Sequence, residues 1–461
     1  MRSAGRLALL AFAQLIIALD FNIVYVALPD IGAEVGFTDG SLQWVVSAYV
    51  VPFGGFLLLG GRAVDRFGAG RIFVAGLALY GLASLAGGLV AEPWALLSAR
   101  AVQGLGGALL TPATLALIGL GFPEGAARNR AFAVWGMAGS AGLAAGSVAG
   151  GLLTEFLGWQ WVFFVNVPLV VAAIVVAPKL LPKSEPARGG GFDVPGALVI
   201  TAGAALVVLG LAGGPESGWI SPEGLGAIGA GVVLIALFVL IEARSANPLV
   251  PLRTFAHRSL SVSMGVIAVF QASLMGMTYL LTIYLQPVMG LDALQAGLAF
   301  LPQTLVTVIG AGRLAPALMA RFGIRGTLIW LLVLTGAGLA LVTAGMSAGG
   351  PYWALLPGFA LWGLAGGACF VVMFASAATG VAPQQQGVAS GLATTSQQIG
   401  GAAGLAVIVA IAGQTGVAGL RTAGWVAAAA TAAAALIALL LVRRTIPPNR
   451  EEARDETVLT A

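Results

Sequence analysis

Long apolar stretches follow one another along almost the whole chain, separated by short segments that hold the polar and charged residues. A helix needs about 20 mostly apolar residues to cross the hydrocarbon of a bilayer. Fourteen such stretches occur, numbered here as spans 1 to 14. They lie at 7–28, 43–61, 71–91, 94–118, 131–153, 161–181, 194–213, 225–242, 260–285, 294–319, 326–346, 353–378, 387–412 and 423–442. The pattern predicts an all-α membrane protein with 14 transmembrane helices.

Composition agrees with a membrane protein. Of the 461 residues, 59% are hydrophobic and 9% are charged, whereas a soluble globular chain has roughly 25% charged residues. Too few charges remain to cover a water-facing surface, which excludes a conventional soluble enzyme, a nucleic-acid-binding domain and a disordered chain. Cys369 is the single cysteine, so neither a disulfide within the chain nor a cysteine metal site is expected.

The placement of charge predicts the orientation. If the N-terminus is cytoplasmic, 20 of the 22 Lys and Arg residues fall in cytoplasmic segments or the termini, and only Arg100 and Arg421 do not. The segments on the other side carry acidic residues instead. Because cytoplasmic loops are enriched in Lys and Arg, both termini are predicted to be cytoplasmic.

An internal repeat predicts the domain organisation. Residues 94–108 and 353–367 are identical at eight of 15 positions, and the Arg-Phe-Gly of 66–68 recurs at 321–323. Spans 1–6 therefore resemble spans 9–14, with spans 7 and 8 inserted. The predicted units are a six-helix bundle at 1–182, a linker with two inserted helices at 183–258, a second six-helix bundle at 259–443 and a cytoplasmic tail at 444–461. Duplicated halves are typical of transporters.

Two charged residues lie inside spans. Asp20 in span 1 costs at least ~2.5–3.5 kcal/mol to insert and is therefore a candidate functional residue. Burial disfavours the charged form of a carboxyl group, so Asp20 can take up and release a proton; the alternative is a structural hydrogen bond to Asn22 or another helix. Arg100 in span 4, with Gln103 one turn later, can bind an anion or tune an acid such as Asp20. It can equally be a purely structural donor.

A charged loop joins spans 2 and 3. Gly61, Asp65, Arg66, Gly68 and Arg71 lie in this loop. Asp65 can pair with Arg66 or Arg71, and Gly68 permits a tight turn. The cluster is interpreted as a latch at the inner mouth, and the alternative is a loop that only sets topology.

Two further groups of residues concern packing and substrate. The span 5 glycines Gly142, Gly146, Gly150 and Gly151 recur at a spacing that places them on one helix face, where they allow close approach of another helix. The polar residues that either line a substrate cavity or bond helices together are Asn22, Thr394, Gln397 and Gln398.

Five motifs together resemble the Major Facilitator Superfamily, specifically its fourteen-span drug:proton antiporter family. They are Leu19 to Pro29 in span 1, Gly61 to Arg71, Arg100-Ala-Val-Gln103-Gly104-Leu-Gly106 in span 4, Gly142 to Gly151 in span 5 and Trp159 to Pro168 at span 6. The resemblance covers essentially the whole chain. Three positions depart from it: Ser147 replaces a proline, which weakens the inference of antiport, and Gln160 and Gln397 replace arginines.

The resemblance implies a proton-coupled exporter of hydrophobic small molecules such as antibiotics, in a bacterial plasma membrane. Asp20 would couple protons, Arg100 would support it, and Asp65 with Arg66 and Arg71 would gate the inner mouth. The expected partners are the substrate, protons and lipid, without cofactor, metal or nucleic acid, and a monomer is plausible. An importer or a lipid-like-substrate translocator on the same fold is the alternative, followed by a membrane receptor. An enzyme is not expected, since His257 is the only histidine and no catalytic set is evident.

Overall fold

Helices make up the regular structure of the chain. A computed structural model describes residues 2–38, 40–123, 126–181, 194–212, 221–245, 248, 257–379, 386–413 and 416–441, and within these ranges no strand occurs. We number the α-helices in chain order. They are α1 (Arg2–Val35), α2 (Trp44–Phe67), α3 (Ala69–Leu89), α4 (Pro93–Gly121), α5 (Ala126–Leu157), α6 (Trp161–Phe164), α7 (Asn166–Leu180), α8 (Val194–Ala212), α9 (Pro222–Arg244), α10 (Arg258–Ile283), α11 (Ala293–Ala299), α12 (Leu301–Ile309), α13 (Ala315–Gly345), α14 (Leu356–Ala378), α15 (Gln386–Ala412) and α16 (Val417–Ala438).

Many of these helices are long and apolar enough to cross a membrane. Eleven candidate membrane spans occur in the described part of the chain, and two shorter apolar helices lie at 44–57 and 198–211. Large apolar side chains also face outward, such as Leu89 and Val233, which are 70% and 65% exposed. A surface of this kind suits lipid rather than water. The predicted all-helical membrane fold is confirmed.

One candidate span is too long to cross a bilayer once. It runs over 53 residues, Ala293–Gly345, which corresponds to about 80 Å of helix against about 30 Å of hydrocarbon. Gly323 breaks it with φ 67° and ψ 172°. Gly68, the matching glycine of the repeated Arg-Phe-Gly, has φ 91° between α2 and α3, a value that favours glycine. The same sequence thus makes the same kind of turn twice.

The second repeated block also packs like the first. In α4, a Cβ on Gly104 would collide with the Tyr49 carbonyl of α2, and in α14 a Cβ on Gly363 would collide with the Gln303 carbonyl of α12. Each glycine therefore lets its helix approach the backbone of a neighbour. The two repeated blocks therefore each place a glycine at a matching contact between helices. We call α1–α7 the N-terminal bundle and α10–α16 the C-terminal bundle.

The helix α8, which lies between the bundles in sequence, packs against both of them. Ala204 and Val208 are buried in a core formed mainly by the N-terminal bundle. Val199 and Ile200 pack against a core of the C-terminal bundle. On α2, a Cβ at Gly55 would collide with the Thr201 hydroxyl. The structure therefore gives α8 a place across the boundary of the two bundles, in contact with α2.

The helices α1 and α5 of the N-terminal bundle pack closely against each other. The glycines Gly142, Gly146 and Gly150 of α5 lie against the backbone carbonyls of Leu15, Leu19 and Ile23 of α1. A Cβ on Gly142 would lie 2.6 Å from the Leu15 oxygen, closer than van der Waals contact permits. Three of the four glycines predicted to share a face of span 5 thus form the surface on which α1 packs, and Gly151 does not contact α1.

The substitution Gly142→Ala is expected to destabilise the protein by ~1–3 kcal/mol, because overpacking forces two backbones apart. The matched control is Gly136→Ala in the same helix, where a Cβ would meet nothing within 4 Å and alanine improves helix propensity. The measurement is the apparent Tm of both purified variants in one detergent. Equal Tm values for the two variants would contradict the close packing of α1 on α5.

Candidate functional site

Asp20 forms an ion pair inside the N-terminal bundle. Its side chain is fully buried, and Arg100 Nη1 of α4 donates to Asp20 Oδ2 at 2.9 Å. Arg100 itself is only 2% exposed. The two charged residues that the sequence places inside spans therefore contact each other, 80 positions apart in the chain.

Two amide side chains complete the shell of the carboxylate. Gln103 Nε2 of α4 and Asn166 Nδ2 of α7 both donate to Asp20 Oδ1, at 2.9 and 2.7 Å. Gln103 Nε2 also donates to Ser84 Oγ of α3 at 2.8 Å. Four helices thus contribute to one polar cluster, which we call the Asp20 cluster: Asp20, Ser84, Arg100, Gln103 and Asn166.

The guanidinium of Arg100 is held from several sides. Its Nε donates to the Val45 carbonyl of α2 at 2.9 Å, and its Nη1 also donates to Gln103 Oε1 at 2.7 Å. The guanidinium carbon lies 4.5 Å from the centre of the Tyr49 ring, a distance at which a cation is attracted to an aromatic face. Arg100 is therefore fixed by contacts with α1, α2 and its own helix.

Local sequence explains how these side chains converge. Arg100 and Gln103 are three residues apart and so share a face of α4. Asn166 begins α7 directly after Val165, where the hydrogen-bond ladder between α6 and α7 is interrupted. Pro168 has no N–H to bond the Phe164 carbonyl, and this loss accounts for the interruption. Asn166 thus lies at a helix start that proline creates.

The cost of burying the Asp20–Arg100 ion pair is offset only when the other members of the Asp20 cluster form their hydrogen bonds. Isolated buried charges are costly, and a buried pair is tolerated when additional hydrogen bonds satisfy its remaining polar atoms. Here the carboxylate accepts three bonds and Arg100 donates three. The cluster is therefore suited to hold Asp20 as an anion in an apolar bundle and to respond strongly when that charge is removed.

Sequence reasoning did not assign Asn166, Ser84 or Tyr49 to the site. Asn166 had a detectable signal, because it is a polar residue within an otherwise apolar stretch at 162–178. Ser84 and Tyr49 had none, since serine and tyrosine are unremarkable in a membrane helix. Asn22, considered as a partner of Asp20, instead donates to the Leu143 carbonyl and to Ser147 Oγ of α5.

The loop between α2 and α3 is described in part. Gly68 makes the turn, and Arg66 and Arg71 are exposed. Gly61 has open space around the position of a Cβ. The Asp65 side chain lies outside the described residues, so its predicted ion pairs stay a prediction.

The last glycine of the span 5 motif joins the two bundles. A Cβ on Gly151 would lie 2.6 Å from the Ala293 carbonyl and 2.7 Å from Leu294 Cα of α11. Nearby, a Cβ on Gly297 would collide with the carbonyl of Ser147, the residue at the expected proline position. These glycines bring the end of α5 against the start of α11.

The other polar residues predicted for a cavity have partners on helices. Thr394 donates to the Ser390 carbonyl of its own helix, and Gln397 Nε2 donates to Gln271 Oε1 of α10 at 3.2 Å. Gln398 is buried and packs on Gly54 of α2. Gln397 and Gln398 thus join α15 to α10 and α2, whereas Thr394 bonds within α15, and the contacts described for these residues are not with the Asp20 cluster.

Two further features lie away from the cluster. Glu242 near the end of α9 is 3% exposed, an acid that the sequence did not mark as buried. An open pocket of about 350 Å³ at the end of α9 is lined by Pro195, Leu237, Leu240, Ile241, Arg244 and Ser245. Among the described residues, no group of three or more His, Cys, Asp or Glu can hold a metal ion.

Several bacterial proteins are similar in sequence over most of their length. A puromycin resistance protein from Streptomyces alboniger is 36% identical over 408 residues, which are 88% of this chain and 80% of that protein. A cephamycin export protein from Amycolatopsis lactamdurans is 36% identical and covers 88% and 84%. A lincomycin resistance protein from Streptomyces lincolnensis is 34% identical and covers 88% and 83%.

Solved structures share the fold. The POT family transporter PepTSo superposes with a TM-score of 0.71 at 15% identity, over 95% of this chain and 97% of that one. The human organic anion transporter MFSD10 gives 0.65 at 17% identity, over 95% and 99%. The sequence itself matches the Major Facilitator Superfamily over residues 10–405 and 314–460. The chain therefore belongs to the Major Facilitator Superfamily, whose members are membrane transporters and not enzymes.

Proposed function

We propose that this protein exports a hydrophobic small molecule, such as an antibiotic, in exchange for protons. The observation that carries the coupling is the fully buried Asp20, held by Arg100. The substrate class is supported by relatives that are named for puromycin resistance, cephamycin export and lincomycin resistance. A neutral or weakly charged compound fits best, because Asp20 is already paired and, in the part of the chain that the structure describes, no second acid pairs with Arg100.

The proposed topology has 14 spans with both termini cytoplasmic in a bacterial plasma membrane. Dividing the 53-residue helix at Gly323 gives two spans, and the two shorter apolar helices add two more to the remaining ten. The proposed domains are bundles at 1–182 and 259–443, an inserted segment at 183–258 and a tail at 444–461. Support comes from the matching turns and packing of the repeated blocks.

Transport would proceed by alternating access. In the proposed orientation the contacts of Gly151 with Ala293, and of Gln286 Nε2 with the Val26 carbonyl at 2.7 Å, lie toward the outer face. The two bundles therefore meet there, as an inward-facing state requires. Separation of α5 from α11 would open the outer face, and the close approach that these glycines permit would set how readily the two helices separate.

Protonation of Asp20 is the proposed coupling step. A proton taken up from outside neutralises the carboxylate and removes its attraction for Arg100, which is strong in a low-dielectric interior. Proton release inside restores the ion pair and accompanies capture of the substrate. Gln103 and Gly104 would support Arg100 through the side-chain bond and the close approach of α4 to α2.

Two further groups have proposed roles. Asp65, Arg66 and Arg71, with Gly61 and Gly68, would form the latch at the cytoplasmic mouth between α2 and α3. Asn22, Thr394, Gln397 and Gln398 are proposed to lie along the substrate path, where their helix contacts would exchange with substrate. The glycines Gly142, Gly146, Gly150 and Gly151 would set how readily α5 separates from α1 and α11.

The substitution Asp20→Asn is expected to reduce gradient-driven efflux to the level of cells that lack the protein, because an amide cannot carry the proton. The measurement is efflux of a panel of dyes and antibiotics from energised cells, with and without a protonophore. The control is Asp292→Asn, since Asp292 caps α11 through Gln295 N and asparagine caps equally well.

Four outcomes of that assay are informative. Efflux that survives both the protonophore and Asp20→Asn would refute the mechanism. Substrate accumulation driven by the same gradient would favour the importer, and lipid-like substrates alone would favour the translocator. Efflux that needs the gradient but tolerates Asp20→Asn would place the coupling group elsewhere.

The substitution Arg100→Leu is expected to destabilise the protein by about 3–5 kcal/mol, because Asp20 is left buried without its cation. The double variant Asp20→Asn with Arg100→Leu removes both charges. It is expected to be more stable than Arg100→Leu alone by at least ~1 kcal/mol, because the effects of substitutions at contacting residues on stability do not add. Apparent Tm values in one detergent measure both effects. A double variant less stable than the single one would show that the ion pair does not govern this region.

A further inference from the structure

The bonds around Asp20 suit only one of its protonation states. Arg100 Nη1, Gln103 Nε2 and Asn166 Nδ2 all donate to the carboxylate. A carboxylate accepts hydrogen bonds only, whereas a protonated carboxyl group also donates one through its hydroxyl. Protonation inside this shell therefore creates a donor that faces three donors, and one partner must present an acceptor instead.

Arg100 and Gln103 cannot readily change. A guanidinium has five donors and no acceptor. Gln103 has an acceptor, but its Oε1 already accepts from Arg100 Nη1 at 2.7 Å and its Nε2 also donates to Ser84. Turning the Gln103 amide would lose the Arg100 bond and place its Nε2 donor against the guanidinium.

Asn166 has far less to lose. Apart from Asp20, its side chain has one long bond, from Nδ2 to the Val162 carbonyl at 3.5 Å. Its Oδ1 is buried and has no hydrogen-bond partner among the described residues, and the residue is fully buried. Turning the amide exchanges Nδ2 for Oδ1 beside Asp20, and either way one polar atom of the amide stays unpaired.

We infer that the side-chain amide of Asn166 turns when Asp20 changes protonation state. It donates through Nδ2 to the carboxylate and accepts through Oδ1 from the carboxyl hydroxyl. No covalent bond other than the one to the transferred proton changes. Asn166 is thus a positioning residue that stabilises both states of Asp20, and this role rests on the proposed coupling function.

Other groups that face Asp20 do not supply this function. The titratable and charged side chains that interact with it are Tyr49 of α2, Tyr80 of α3 and Arg100 of α4, and Tyr25 of α1 interacts with Arg100. The Tyr80 hydroxyl interacts with Asp20 but forms no hydrogen bond of normal geometry with it, whereas Asn166 Nδ2 bonds the carboxylate directly at 2.7 Å. The helix α7 supplies Asn166 to the surroundings of Asp20, and this side chain does not titrate.

The test uses infrared difference spectroscopy of the full-length protein in lipid, over a pH series. The carboxyl band of protonated Asp20 is identified by its loss in Asp20→Asn. The chain has five asparagines, and isotope labelling of their side-chain carbonyls identifies amide bands without any substitution. We expect one asparagine band to shift with the same midpoint as the Asp20 band and to vanish in Asn166→Leu.

The same series gives a quantitative result. In Asn166→Leu the carboxylate loses a charge-assisted bond and the carboxyl group loses a weaker neutral one, so the Asp20 midpoint should rise by about half to one pH unit. The matched control is Gln43→Leu. Gln43 is likewise fully buried, with Nε2 bonded to the Gly40 carbonyl and Oε1 unpaired among the described residues. It has no hydrogen bond to Asp20, so the Asp20 midpoint in Gln43→Leu should match that of wild type.

The outcomes separate this inference from the proposed function. An Asp20 band that titrates without any asparagine band following it, or an unchanged midpoint in Asn166→Leu, overturns the inference alone. An Asp20 band absent over the whole pH series overturns both. If Asn166→Leu does not fold, the labelled wild-type spectra still decide whether an amide follows Asp20.

Discussion

The burial of one carboxylate within an apolar helix bundle governs much of this structure. Asp20 has no access to water, so every group that stabilises its charge must come from a neighbouring helix. Arg100, Gln103 and Asn166 meet that need from α4 and α7, and the Val45 carbonyl fixes Arg100 from α2. The positions of these helices around α1 are therefore linked to the charge state of a single side chain.

The two bundles repeat the packing but not the charge. At the repeat offset of 259, Phe359 and Trp362 stand where the N-terminal bundle has Arg100 and Gln103. Both are buried among apolar neighbours. The glycines Gly104 and Gly363 keep their shared role in helix approach. Among the described residues, the buried ion pair thus lies in one bundle, and the other has large apolar side chains at the matching positions.

Sequence predicted the helices well because each needs only its own apolar residues. It also predicted the turn at Gly68 and the break between spans 10 and 11, where Gly323 lies. It predicted Asp20 and Arg100 as individual residues because charges within spans are rare. It did not predict the place of Asn166 in the site or the burial of Glu242. When nearly every face of a helix is apolar, periodicity does not show which face turns inward. Those assignments required the packing of helices that are distant in sequence.

Proton release on substrate binding tests the central claim most directly. Purified protein in weak buffer would be mixed with the antibiotic that efflux assays identify, while a pH-sensitive dye follows free protons. Exchange at Asp20 predicts that wild type releases up to one proton per bound substrate at a pH where Asp20 is protonated, and that Asp20→Asn binds substrate without release. Equal release by wild type and Asp20→Asn would contradict the claim.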